Sequence, residues 1–159
     1  RAFQNQSSLA MEILDIDYYK EYNDTYGHQA ADICLQQISE QIRYLTRNHP
    51  DVYSARYGGD EFVIIYEGMT DDEVTSLAAS LRNRNRDLAI LHETSKIDSC
   101  ITVSQGIRNS VPKEGNKLWD YMYTADNALY SVKKHRKGEI VLLHSAVISQ
   151  KSLADAMRK

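Results

Sequence analysis

The chain has 159 residues, 42% of them hydrophobic and 26% charged, a mixture that suits one compact soluble domain with a sizeable core. Its formal net charge is −3, which argues against a general grip on nucleic acid through a basic surface and leaves phosphate handling to a local site. No stretch reaches the roughly 18 apolar residues of a membrane span, so no direct membrane contact is expected of the domain. Cys34 and Cys100 form no Cys-x-x-Cys pair and read as small apolar residues in a reducing compartment. The first residue is Arg1 rather than Met, which reads as a piece of a larger protein whose upstream sensory or regulatory domain, or membrane anchor, lies outside it.

In chain order, Leu9 to Ile16 is a short apolar run ending in acidic residues and reads as a buried strand. Tyr18 to Tyr26 suits a short helix stopped by Gly27. From His28 a longer helix follows, with Ala31, Leu35, Ile38, Ile42 and Leu45 on one face and Pro50 just past its end. Val52 to Tyr57 and Asp60 to Tyr66 flank Gly58-Gly59, a strong hairpin signal. Thr70 with Asp71, Asp72 and Glu73 marks a capped helix start, and Val74, Leu77, Ala78 and Leu81 give that helix its apolar face. Residues 83–96 carry no clear pattern. Cys100 to Ile107 reads as a strand, and Leu118, Met122, Ala125, Leu129 and Val132 mark another helix with Trp119 as a core residue near its start. Ile140 to Leu143 closes as a strand, and the tail from residue 145 is weakly helical. The order strand, helix, hairpin, helix, strand is the ferredoxin-like βαββαβ pattern, here with an added helix and strand. It predicts an α+β fold of the polymerase-palm and nucleotidyl-cyclase type, an antiparallel-containing sheet with helices packed on one face. The domain is expected to span residues 1–144, leaving 145–159 as a tail.

Asp15 and Asp17 stand where the first strand ends, and Asp60 and Glu61 just after the glycine turn. In this fold the first strand and the hairpin are neighbours, so the two acidic pairs converge. Four carboxylates at one place repel one another unless cations neutralise them. Oxygen ligands without Cys or His favour magnesium or manganese, and two such ions about 3.5–4 Å apart would support in-line attack on a phosphate. The plainer alternative is a set of solvated turn carboxylates. Gly58 and Gly59 fit the turn and also let a ligand approach the backbone. The basic run Lys133, Lys134, His135, Arg136 and Lys137 either complements a helix dipole or neutralises a triphosphate; the sequence leaves both open. His28 suits capping or packing, and Tyr18 and Tyr19 suit packing or covering the edge of a ligand.

These residues resemble a known family. Arg56-Tyr57-Gly58-Gly59-Asp60-Glu61-Phe62 carries the GGDEF signature of diguanylate cyclases letter for letter. Leu14-Asp15-Ile16-Asp17-Tyr18-Tyr19-Lys20 with Asn23-Asp24-Thr25-Tyr26-Gly27-His28 is similar to that family's first block, and Ala125-Asp126-Asn127-Ala128-Leu129-Tyr130 with Lys133 is similar to its late helix. The resemblance implies that two GTP molecules are joined into cyclic di-GMP with loss of two pyrophosphates, across a transient homodimer of facing active sites. It implies two Mg2+ (or Mn2+) ions per site, held by Asp15, Asp60, Glu61 and the Ile16 carbonyl, with Glu61 as a ligand or as an aid to deprotonating the 3′-hydroxyl. Asn23 and Asp32 occupy the guanine-reading positions; a carboxylate accepts from guanine N1–H and its exocyclic amine together, a pair adenine lacks. The amides of Tyr18, Tyr19 and Lys20 would receive phosphates at a helix start, beside Gly58 and Gly59, and Lys133 matches the phosphate-binding lysine. The implied compartment is the cytoplasm, including the cytoplasmic part of a membrane-anchored protein.

Some positions depart from the pattern. Lys137 stands where arginine is usual and lacks the bidentate fork; Ala31 replaces a glycine, and Gln105 replaces an apolar residue. The Arg-x-x-Asp inhibitory site that many members carry reads His49 and Val52 here, so no product inhibition through it is expected. The chief rival is a catalytically inactive GGDEF module that binds GTP or a cyclic dinucleotide as a regulatory domain, although its usual mark, a damaged signature, is missing. A cyclase joining GTP with ATP would be expected to change Asp32, and a polymerase palm would share the carboxylates without the surrounding blocks.

Overall fold

A computed structural model describes residues 1–145. After a single helical turn, α1 (Ala2–Asn5), the chain forms β1 (Leu9–Ile16), α2 (Tyr19–Tyr26), α3 (His28–Asn48), β2 (Val52–Arg56), β3 (Glu61–Glu67), α4 (Asp71–Asp87), β4 (Val103–Ser110), α5 (Leu118–His135) and β5 (Ile140–Leu143). Apart from Ser145, the expected 145–159 tail lies outside the described residues. Among the described residues no helix is long and apolar enough to cross a membrane.

The five strands lie in the order β2-β3-β1-β4-β5. β1 pairs antiparallel with β3 and β4, β2 pairs antiparallel with β3, and β5 joins parallel to β4. The first four strands thus have the ferredoxin-like order, and β5 with α5 is the extension. Side-chain alternation along β1 divides the core. Ala10, Leu14 and Ile16 join Ile38 and Ile42 of α3 and Val74, Ala78 and Leu81 of α4 in one cluster, while Ile13 packs with Ala125 and Leu129 of α5 in another. The helices therefore cover both faces rather than the single one expected: α3 and α4 on one, α5 on the other. The reason lies in β1, which is apolar at consecutive positions and so needs cover on both sides.

Local sequence accounts for most boundaries. Thr70 accepts from the Glu73 amide at 3.2 Å while the Glu73 carboxylate accepts from the Thr70 amide at 3.3 Å, a capping box that starts α4 and contributes about 1 kcal/mol. Gly27, at φ 89°, separates α2 from α3 without a side-chain clash. The unpatterned 83–96 stretch begins as the end of α4. It then docks His92 against the rings of Tyr22 and Tyr26 and makes an antiparallel bridge from Leu91 to Cys100. That bridge delays β4, which starts at Val103 and not at Cys100. Leu118 and Trp119 were expected in the core but are 63% and 64% exposed, because α5 begins at the rim of the sheet and buries its face only from Tyr121 onward. Cys34 is buried and Cys100 half-buried, both as free thiols. Gln105 is fully buried and donates its amide to the Ala78 carbonyl at 3.1 Å, so the polar residue at an apolar position ties β4 to α4.

Glu12, in the middle of β1, is also fully buried, and the Tyr66 hydroxyl donates to it at 2.6 Å. Burial pushes its carboxyl up to about 8, against the opposing Tyr66 hydrogen bond. The folded protein therefore keeps a proton that the unfolded chain releases above about 4.5. Stability falls as pH rises from there to about 8, on the order of 1 kcal/mol per pH unit. Glu12→Gln keeps an acceptor for Tyr66 and cannot ionise. Its melting temperature should change much less than that of the wild type between pH 5 and pH 8, whatever constant offset the amide brings; parallel curves would show that Glu12 does not titrate in this range.

Candidate active site

The carboxylates converge because of strand register. Asp15, next to last in β1, pairs across the sheet with Glu61 at the start of β3, and the Ile16 amide donates to the Asp60 carbonyl at 3.2 Å. Side chains paired across strands share a face, so Asp15 and Glu61 both project toward α5. The four-residue connection 57–60 is closed by the Tyr57 amide, which donates to the Glu61 carbonyl at 2.9 Å. Arg56, which opens the signature block but was given no role there, donates to the carbonyls of Gly58 and Gly59 at 3.0 and 2.7 Å and holds the turn in shape. Neither glycine adopts a positive φ, and a Cβ at Gly59 would meet nothing within 4 Å. The turn does not demand these glycines; what they leave is bare backbone open to solvent.

Burial pushes the Asp15 carboxyl up to about 7; Lys133 opposes this, and Asp60 adds to it by charge and by a hydrogen bond. Glu61 is raised by burial, then by Asp60 and Asp126, against Lys133. Asp15 also keeps one carboxylate oxygen, Oδ1, buried without a hydrogen-bond partner. Crowded carboxylates that hold protons more tightly than usual, one with an unsatisfied oxygen, fit a hard divalent cation, which would relieve the repulsion. Among the described residues no three His, Cys, Asp or Glu side chains are drawn close enough to hold a metal as they stand.

Asp17 does not join them. β1 ends at Ile16, so strand alternation no longer governs the next side chain, and Asp17 turns into the protein at 1% exposure. Its carboxylate accepts from Thr102 at 2.8 Å, Ser104 at 2.6 Å and Lys133 at 2.6 Å. The expected four converging carboxylates are therefore three, with Asp17 behind them.

The basic run divides: Lys133, Lys134 and His135 lie in the last turn of α5, where they complement the helix dipole, and Lys137 lies beyond it. Lys133 reaches Asp15 at 3.3 Å as well as Asp17, and Lys137 lies 5.2 Å over the Tyr18 ring. Tyr18, at φ 54° and ψ 36°, is a non-glycine residue in the left-handed region at the N-cap of α2, a strained state of the kind that collects at functional sites. It precedes the first-turn amides of Tyr19 and Lys20, which have no acceptor within the helix. Tyr19 donates to the Ala31 carbonyl at 3.1 Å. Its phenol is raised by burial, then by Cys34, Asp32 and Asp60, with Arg56 opposing. Asp32 and Asp60 thus both lie within electrostatic reach of Tyr19, one on α3 and one in the glycine turn. Asn23, half-buried on α2, ends that helix through its carbonyl, which accepts from Gly27 at 2.8 Å; Asp32 is exposed on α3.

On the α5 side of Glu61 an open cleft of about 400 Å³ is lined by Ile13, Tyr57, Glu61, Met122, Tyr123 and Asp126. Sequence reasoning gave Tyr57, Tyr123 and Asp126 no place at the site, though the late-helix block contains Asp126. At the position of the family's inhibitory aspartate, Val52 is 3% exposed within the core. Any cyclase activity of the domain is therefore expected to keep its initial rate in micromolar cyclic di-GMP; inhibition abolished by substitutions at residues 49–52 would contradict this.

The chain matches the family model for "Diguanylate cyclase, GGDEF domain" over residues 1–139. It is 30% identical to diguanylate cyclase A of Treponema denticola over 139 residues, 87% of this chain and 36% of that protein. It is 35% identical to diguanylate cyclase DgcZ of Escherichia coli over 127 residues, 80% of this chain and 41% of that protein. The chain thus spans about two-fifths or less of these curated relatives. Among solved structures, the GGDEF domain of DgcB from Caulobacter crescentus in complex with c-di-GMP superposes with a TM-score of 0.77 at 28% identity, covering 89% of this chain and 81% of that one. With its signature at the end of the central strands and a family match along most of its length, this chain belongs to the GGDEF family of diguanylate cyclase domains.

Proposed function

We propose that the domain is an active diguanylate cyclase, condensing two GTP into cyclic di-GMP and two pyrophosphates across a pair of facing copies. The observation that carries this reading is the meeting of Asp15, Asp60 and Glu61 at one end of the sheet, beside Lys133 and the first turn of α2. Magnesium or manganese ions held there by Asp15, Asp60, Glu61 and the Ile16 carbonyl would supply charge neutralisation to the reacting phosphate. The chain's own groups do the rest. The amides of Tyr18 to Lys20, with Lys133 and Lys137, bind the β- and γ-phosphates. Gly58 and Gly59 let the nucleotide lie against bare backbone. Asn23 and Asp32 read the guanine edge. In each of two steps the 3′-hydroxyl of one nucleotide attacks the α-phosphorus of the other; a P–O bond forms, pyrophosphate leaves, and the hydroxyl proton passes to a base, a role that falls to Glu61. An upstream domain would control how often two copies meet.

The test is product analysis by mass spectrometry after concentrated protein is incubated with GTP and magnesium, where a cyclic di-GMP peak is expected. No product from a fusion to a strong dimeriser, with GTP still bound, would replace this reading with that of a nucleotide-binding regulatory module. Asp32→Ser is expected to lower the preference for GTP over ATP by about tenfold or more, since the site loses a charged acceptor for two guanine donors; competition binding with the two nucleotides measures it, and an unchanged ratio would remove Asp32 from base reading.

A further inference from the structure

We infer that Asp17 is a positioning residue that sets triphosphate affinity through Lys133, an inference that rests on the reading of the site as one for GTP. The Asp17 carboxylate is 1% exposed and accepts three hydrogen bonds, from Thr102, Ser104 and Lys133. Its amide donates to the Thr102 carbonyl at 2.9 Å, so backbone and side chain are both fixed against the start of β4 and the residue that precedes it. Such a carboxylate is far more rigid than an exposed one and cannot move outward to meet a ligand.

Lys133 stands between this fixed carboxylate and Asp15, at 2.6 and 3.3 Å. The shorter contact is to the residue that takes no part in the proposed chemistry. Asp17 thereby holds the ammonium from behind and keeps it from collapsing onto Asp15, whose oxygens are wanted for a cation. Ser104 extends the arrangement: while donating to Asp17 it accepts from the Gly138 amide at 2.9 Å. This bond anchors the turn that follows Lys137. The buried carboxylate thus holds Lys133 directly, while Ser104 joins it to the α5–β5 turn at Gly138.

Asp17→Asn keeps the shape and can still bond to Thr102 and Ser104, but it removes the charge that holds Lys133. Lys133 then pairs with Asp15 alone. Binding of the α,β-methylene analogue of GTP, which cannot lose pyrophosphate, should weaken by about tenfold or more, as expected for loss of a charge-assisted bond at the phosphate site. Binding of GMP, which lacks the outer phosphates, should be unchanged. In a Lys133→Ala background, Asp17→Asn should cause no further loss of analogue binding, because the residue acts through the lysine. A loss equal for the analogue and GMP, or one that persists at full size without Lys133, would overturn the inference in favour of a purely structural role. Should Asp17→Asn not fold, Ser104→Ala provides the same comparison with a smaller expected loss, again confined to the analogue; no loss would count against the inference. A wild-type protein that binds GMP as tightly as the analogue would instead overturn the reading of the site itself.

Discussion

Gly106→Ala is expected to lower stability by about 3 kcal/mol, roughly a 10 °C fall in melting temperature for a chain of this size. A Cβ at Gly106 would lie 2.2 Å from the Leu129 amide nitrogen, 2.5 Å from the Ala125 carbonyl and 2.7 Å from the Leu129 Cα. All three are backbone atoms of α5, so no side-chain rotation relieves the clash and the helix itself has to move away from the sheet. The move would reach the candidate site, because Lys133 is one turn beyond Leu129 on the same helix. Its contacts with Asp15 and Asp17 would lengthen, and the GTP analogue should bind more weakly than the loss of folded protein explains. Thermal unfolding and analogue binding on the same sample check both parts. A Gly106→Ala protein that melts with the wild type would mean that α5 does not approach β4 this closely.

The same glycine shows where sequence reading ends. Residue patterning located every strand and helix from residue 9 to 143 to within a few residues, since apolar alternation, the Gly27 stop and the Thr70 cap are local signals. Layering was less legible: the pattern showed that α5 has an apolar face but not which side of the sheet receives it. The start of β4 was misplaced because Ile101 is as buried as a strand residue, yet belongs to the bridge region preceding it. Trp119 was misread because large aromatic residues are usually buried, whereas here the helix start overhangs the sheet rim. At the site, Asp15, Asp60, Glu61 and Lys133 were identified by motif, and the structure brings all four together. The inward turn of Asp17, the Arg56 clamp and the anchoring of Gln105 on Ala78 depend on contacts between residues far apart in the chain or on a local turn. No spacing in the sequence encodes them.

Glu61→Ala should reduce cyclic di-GMP synthesis by about a thousandfold, the scale expected when a metal ligand or base is removed from a phosphoryl-transfer site, and Asp60→Ala should do the same. Neither loss should come from unfolding. Glu61 is held above its ordinary value by burial and by repulsion from Asp60 and Asp126, so removing its charge relieves strain in the ligand-free domain. The melting temperature of Glu61→Ala should equal or exceed that of the wild type. Gly59→Ala supplies the complementary case, since its added methyl meets no atom within 4 Å and its backbone is not left-handed. It should fold as the wild type does, yet synthesise far less product, because the methyl would occupy space that the nucleotide needs. If Gly59→Ala turns over normally, the nucleotide does not lie against this turn, and the glycine pair has no role in binding. If Glu61→Ala turns over normally, the carboxylate convergence does not carry the chemistry, and the domain is better understood as a module that binds guanine nucleotide without acting on it.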